Sequence, residues 1–164
     1  MLLNCEFSVE SFRFFVTCPR GAAELMLDEA EDIGLPSGRL RGSTFVFDGS
    51  LKDGLKAVLW MRLANRVLLH LHSFPVSTAE SLYEGIHAMD WQTYLTTEST
   101  FAIDAVGMTD KLRHTHFVAL KAKDAIADQL TALLGSRPNV EPKNPDVRIV
   151  VRLHGGHAHV SLDL

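Results

Sequence analysis

The run Thr115-His116-Phe117-Val118-Ala119-Leu120-Lys121-Ala122-Lys123-Asp124-Ala125-Ile126-Ala127-Asp128-Gln129-Leu130 decides how this chain is read. Its apolar residues recur at three- and four-residue steps, which predicts a helix over 115–134, closed by Gly135. The stripe Val118, Ala122, Ala125, Ile126, Leu130 and Leu133 is expected to face a core. Lys121 and Lys123 fall about 200° apart on an ideal helix, so only one of them is expected to face an anionic partner. Residues 147–153 and 158–164 then alternate as strands, with Gly155-Gly156 as the hairpin turn between them.

Working backwards, residues 100–106 alternate like a strand, and Ser77 or Thr78 opens a helix containing Leu82, Tyr83 and Ile86. The stretch Asp90-Trp91-Gln92-Thr93-Tyr94-Leu95 reads as a short amphipathic turn that lids the core. The second half is therefore α-β-α-β-β. Upstream, residues 12–17, 43–48 and 66–74 read as strands, with one more short strand near 39–41. Helices are expected over 21–33, ended by Gly34, and over 51–61, capped by Ser50. In the first, Glu24, Asp28, Glu29, Glu31 and Asp32 are expected on a solvated face; in the second, Leu51, Leu55, Val58 and Leu59 share one face. The order is that of a split βαβ, ferredoxin-like unit. The fold class is α+β: a ferredoxin-like region over 1–52, whose last helix and strand run on to about 76, then a second α/β domain over 53–164 with a mixed sheet and a C-terminal β-hairpin.

Composition narrows the function. With 164 residues, 46% of them hydrophobic and 22% charged, the chain can bury a sizeable core. No apolar run is long enough to span a bilayer and no signal peptide opens the chain, so a cytoplasmic, membrane-free protein is expected. Cys5 and Cys18 have no metal-ligand spacing and are read as free thiols. The net charge of −4 is unevenly placed. Residues 1–110 hold 8 Lys and Arg against 15 Asp and Glu, a balance of −7; residues 111–164 hold 8 against 5, a balance of +3, with five of the eight histidines. The basic residues Lys111, Arg113, Lys121, Lys123, Arg137, Lys143, Arg148 and Arg152 are the candidate binding residues for an anionic, phosphate-bearing partner. Arg148 and Arg152 share a strand face; a groove formed by the helix start, the Arg113 loop and the 137–143 loop is expected to take a phosphate backbone.

Catalytic motifs are missing: there is no glycine-rich phosphate loop and no nucleophile elbow. Asn144-Pro145-Asp146 lacks the aromatic that an amino-methylating loop stacks on its base, so it reads as a turn before a strand. His70 and His72 are expected on one strand face, and His154, His157 and His159 gather at the hairpin, but neither set offers the full ligand shell zinc requires. No residue is assigned a catalytic or metal-binding role.

Four stretches carry a family resemblance: 15–25 (Phe15-Val16-Thr17-Cys18-Pro19-Arg20-Gly21-Ala22-Ala23-Glu24-Leu25), 59–67 around Trp60-Met61-Arg62, 120–126 (Leu120-Lys121-Ala122-Lys123-Asp124-Ala125-Ile126), and 137–148, which opens on Arg137-Pro138 and closes on Asn144-Pro145-Asp146-Val147-Arg148. With the closing Ser161-Leu162-Asp163-Leu164, the chain resembles the N-terminal part of the bacterial large-subunit rRNA guanine-N2-methyltransferases that carry a THUMP domain. The resemblance implies a ferredoxin-like domain followed by an RNA-binding THUMP domain. It implies a guanine-containing hairpin of large-subunit rRNA as partner, and an S-adenosylmethionine-dependent methyltransferase domain further along the same polypeptide. No cofactor is implied for these residues themselves. The apolar, alternating last residues fit a fragment of a longer protein. Two other readings stay open: a THUMP module of a tRNA-thiolating enzyme, and a non-enzymatic interaction or metal-binding domain.

Overall fold

A computed structural model describes residues 10–164. Cys5 and the unpatterned first nine residues lie outside the described residues. The described residues divide into two compact units, 10–69 with Leu164, and 70–163.

In the first unit, β1 (Phe12–Thr17), α1 (Ala23–Asp32), β2 (Gly38–Arg41), β3 (Thr44–Gly49), α2 (Leu51–Trp60) and the start of β4 (Arg66–Pro75) follow one another. The strands lie in the order β2-β3-β1-β4, all pairs antiparallel. This is the ferredoxin-like arrangement, with the short strand near Arg39 present as β2. The core rests on aromatic stacking: Phe14 lies 5.0 Å from Phe47, and Phe45 lies 5.4 Å from Phe47. Helix α2 starts in a capping box, Ser50 accepting from the Asp53 N–H and Asp53 from the Ser50 N–H.

One expectation about these helices is corrected. Glu29 is not solvated; it sits on the buried face of α1 with Met26 and Ala30. There its carboxylate accepts from the Arg62 and Leu63 backbone N–H groups and from the Arg62 guanidinium, at 2.9–3.1 Å. Burial pushes this carboxyl up, but the donated hydrogen bonds outweigh it and the net shift is downward. A carboxyl with a lowered folded-state pKa stabilises above its ordinary range and loses that contribution as pH falls through the folded value. The stability difference between the wild type and Glu29→Gln is therefore expected to shrink steadily in urea melts taken from neutral to acidic pH. An unchanged difference would remove Glu29 from the account. Helix α2 turns its aliphatic stripe outward. Its buried residues are Gly54 and Ala57, while Leu51, Leu55, Val58 and Leu59 are exposed.

In the second unit the remainder of β4 is followed by α3 (Ala79–His87), a 3-10 turn (Trp91–Thr93), β5 (Thr100–Gly107), α4 (Thr115–Leu134), β6 (Asn139–Val140), β7 (Val147–His154) and β8 (His157–Asp163). The strands run β4-β8-β7-β5-β6; β5 and β7 are parallel, β7 and β8 antiparallel. Helix α4 has the expected limits, and Gly135 ends it with φ of 74°. Val118, Ala122, Ala125, Ile126 and Leu130 are buried as expected, but Leu133 is exposed, because the last turn runs past the core. Trp91 is fully buried and donates its indole N–H to the Ile86 carbonyl at 2.8 Å, so the expected lid is in place.

Gln129 holds that lid. It is buried on α4, its amide nitrogen donates to the His87 and Met89 carbonyls, and its oxygen accepts from the Trp91 N–H. Replacing it by leucine strands three backbone groups in the core. Gln129→Leu is expected to cost about 2–4 kcal/mol, read from urea melts by Trp91 fluorescence. A loss below about 1 kcal/mol would show that water substitutes for the amide.

Candidate nucleic-acid interface

Because β5 and β7 are parallel and Gly107 lies opposite Leu153, both strands finish at the same end of the second unit. The loop after β5 therefore delivers the N-terminus of α4 to that end. The β7–β8 hairpin turns there too, with Gly155 and Gly156 at positive φ and the Gly156 carbonyl accepting from the Val76 N–H. Loop geometry decides which side chains project. Leu112 is buried, and its N–H donates to the Thr109 hydroxyl while its carbonyl accepts from the Thr109 N–H. On either side of Leu112, Lys111 and Arg113 are exposed, Arg113 held by a bond from Nε to the Asp110 carbonyl.

Helix α4 opens at His114, which supplies no side-chain cap. Its first N–H groups and the positive end of its dipole therefore face the same side as Lys111 and Arg113. His114 and His116 are exposed beside them, and so is Phe117, at 47%. From the hairpin come Arg152, His154 and His157, all exposed, with Arg152 directly across the ladder from His159. Burial lowers the pKa of His159, and positive charge from Arg152, His157 and His154 lowers it further. Against these cations stand Asp110 in the loop and Glu80 in the first turn of α3.

The other candidate cations are placed differently. Lys121 lies with its ammonium 5.3 Å from the centre of the Tyr83 ring, whose hydroxyl donates to Asp128. Lys123 pairs with Asp124 at 2.9 Å, and Arg137 approaches the same carboxylate at 3.8 Å. Arg148 is largely enclosed: it reaches Asp104 at 3.3 Å and donates to the Pro142 and Lys143 carbonyls, tying β5, β7 and the 141–146 loop together. The Lys143 side chain is exposed on that loop. Helix α4 is about 30 Å long at 1.5 Å per residue, so the 137–143 loop at its C-terminus lies at the opposite end from Arg113. The expected groove joining the two does not form. Phe117, and the uncapped start of α4 beside it, were not among the expected contacts; an aromatic at the third helical position beside four basic or imidazole groups was the available signal.

The histidines on β4 separate. The Ser73 hydroxyl bonds His70 Nε2 at 3.1 Å and His159 Nδ1 at 2.7 Å, while His72 stacks with Phe74. A contact between residues three apart takes β4 out of strict alternation, so His70 and His72 do not share a face as expected. Among the described residues, no group of three or more His, Cys, Asp and Glu could hold a metal ion. Among them, too, no helix is long and apolar enough to cross a membrane.

A mixed α/β unit with a strand-end cluster of bases, following a ferredoxin-like unit, defines the class. Residues 76–163 match the THUMP domain model, more than half of the sequence, and the chain belongs to the THUMP-domain family. Ahead of that match, residues 13–68 match the RlmL ferredoxin-like domain. The chain is 45% identical over 153 residues to ribosomal RNA large subunit methyltransferase K/L of Pseudomonas aeruginosa, covering 93% of this chain and 21% of that protein. Its identity to the protein of the same description from Stutzerimonas stutzeri is 44%, over 91% of this chain and 21% of the relative. The chain thus spans about a fifth of the length of these relatives. Among solved structures, one described as a candidate methyltransferase complexed with SAH superposes with a TM-score of 0.79 at 25% identity, over 94% of this chain and 41% of the other. A 4-thiouridine synthetase–RNA complex shares the fold at a TM-score of 0.57 and 14% identity, over 94% and 41% respectively.

Proposed function

We propose that this chain is the RNA-docking portion of an S-adenosylmethionine-dependent 23S rRNA guanine-N2-methyltransferase. It holds a guanine-containing hairpin of large-subunit rRNA for a methyltransferase domain on the same polypeptide, and itself takes no part in methyl transfer. A role on ribosomal RNA would have it act in the cytoplasm. The observation that carries the reading is that Lys111, Arg113 and Phe117 are exposed around the uncapped start of α4, with Arg152 at the same strand end. Cations and helix N–H groups neutralise phosphates without reading sequence, while an exposed ring offers a stacking platform for an unpaired base. A hairpin loop presents both features at once. The relatives named as rRNA methyltransferases at 44–45% identity support this partner over a tRNA undergoing thiolation.

The test is affinity for a structured 23S rRNA hairpin across a salt series. Binding is expected to weaken as salt rises, with a log–log slope of about −2 to −4 for three to five phosphate contacts. Phe117→Ala is expected to weaken binding to the hairpin about tenfold, the value of one stacked base, with the salt slope unchanged. Salt-insensitive binding, or none, would overturn the proposal.

A further inference from the structure

Helix α2 is amphipathic in the reverse sense. The face turned to its own sheet is made of small residues, Gly54 and Ala57. A Cβ on Gly54 would sit 2.2 Å from the Phe14 ring, so the helix approaches as closely as a side-chain-free position permits. Its aliphatic stripe instead faces outward: Leu51 is 45% exposed, Leu55 48%, Val58 40% and Leu59 76%. The capping box at Ser50 and Asp53 fixes the start of the helix. Rotating it to bury Leu55 would bring a larger side chain where only glycine fits.

We infer that the stripe Leu51, Leu55, Val58 and Leu59 is a docking surface for the folded methyltransferase domain of the same polypeptide. This rests on the proposed function above. RNA is a poor occupant: the stripe is aliphatic, and the neighbouring helix α1 exposes Glu24, Asp28, Glu31 and Asp32. A second copy is poorly matched as well. Four partly exposed side chains offer on the order of 400 Å² of apolar surface, against about 800 Å² per partner in a stable free complex. A tethered domain needs far less, because covalent linkage supplies the effective concentration. In relatives at 44–45% identity about four-fifths of the length lies outside the part this chain matches, ample for such a domain.

Hydroxyl-radical footprinting with mass spectrometry tests this without any substitution. Oxidation of Leu55 and Leu59 is measured, against a dosimeter peptide, in the 164-residue chain and in the polypeptide translated from the complete reading frame. The expected result is oxidation about tenfold slower in the longer polypeptide, as water is excluded from the stripe. Equal rates in both would overturn the inference. So would protection of the short chain on raising its concentration, which means a second copy, or on adding the rRNA hairpin, which means RNA. A reading frame without a methyltransferase domain overturns it outright. RNA affinity of the short chain is measured in parallel: protection of the stripe without RNA binding leaves this inference standing and removes the RNA-docking reading.

Discussion

Reversing two charges, Lys111→Glu with Arg113→Glu, is expected to cut affinity for the rRNA hairpin about a hundredfold near 0.1 M salt and to flatten the salt slope by about two. Both side chains flank the buried Leu112 in a loop pinned by Thr109. Among the described residues neither side chain forms an ion pair, so removing their charge leaves no buried partner behind. The melting temperature of the double variant is therefore expected to stay within a degree or two of the wild type, which separates a binding defect from unfolding. Arg148→Ala gives the opposite pattern. Its guanidinium joins Asp104 to the Pro142 and Lys143 carbonyls, so its loss lowers stability while leaving the salt slope intact. Charge reversal at Lys143, on the loop at the far end of α4, is expected to change affinity by less than about threefold. Loss of binding in that variant equal to the loss at Lys111 and Arg113 would move the interface to the other end.

Gly107→Val is expected to be the most damaging single substitution in the second unit. Gly107 closes β5 at φ of 80°, and a Cβ built there lies 2.1 Å from the Leu153 carbonyl oxygen. Backbone strain alone costs a β-branched residue about 2 kcal/mol. The clash is with backbone of the adjoining strand and cannot be relieved by a side-chain rotation. The sum is expected to exceed about 4 kcal/mol, enough to unfold a marginal domain. Gly21 provides the control: it has φ of 88° but nothing within 4 Å of its built Cβ. Gly21→Ala is thus expected to cost only the conformational part, about 1 kcal/mol. Comparable losses at the two positions, measured by thermal and urea melts, would mean that the β5–β7 contact is not what holds Gly107.

Much of this fold was legible because local signals agreed with one another. The 20-residue helix α4 announces itself by its periodicity and stops at Gly135, where the chain takes a left-handed turn. The hairpin at Gly155 and Gly156 and the capped starts at Ser50 and Thr78 were equally direct. What failed to show in the sequence was direction. Periodicity finds the stripe on α2 but does not say which side the sheet is on; that depends on Phe14, forty residues earlier, packing against Gly54. Glu29 looked solvated because its three donors come from Arg62 and Leu63, more than thirty residues away. The eight bases were legible as a charge excess, but their distribution was not. Only the parallel pairing of β5 with β7 reveals that Arg113 and Arg152 lie at one end while Arg137 and Lys143 lie at the other.

The central claim is that RNA meets the second unit where β5 and β7 end and α4 begins. Ultraviolet cross-linking of the chain to the rRNA hairpin, followed by peptide sequencing, tests it directly. The account predicts cross-links in the peptides spanning 108–121 and 152–159, with Phe117 among the modified residues. Cross-links confined to 137–148 or to α2, with 108–121 unmodified, would contradict it.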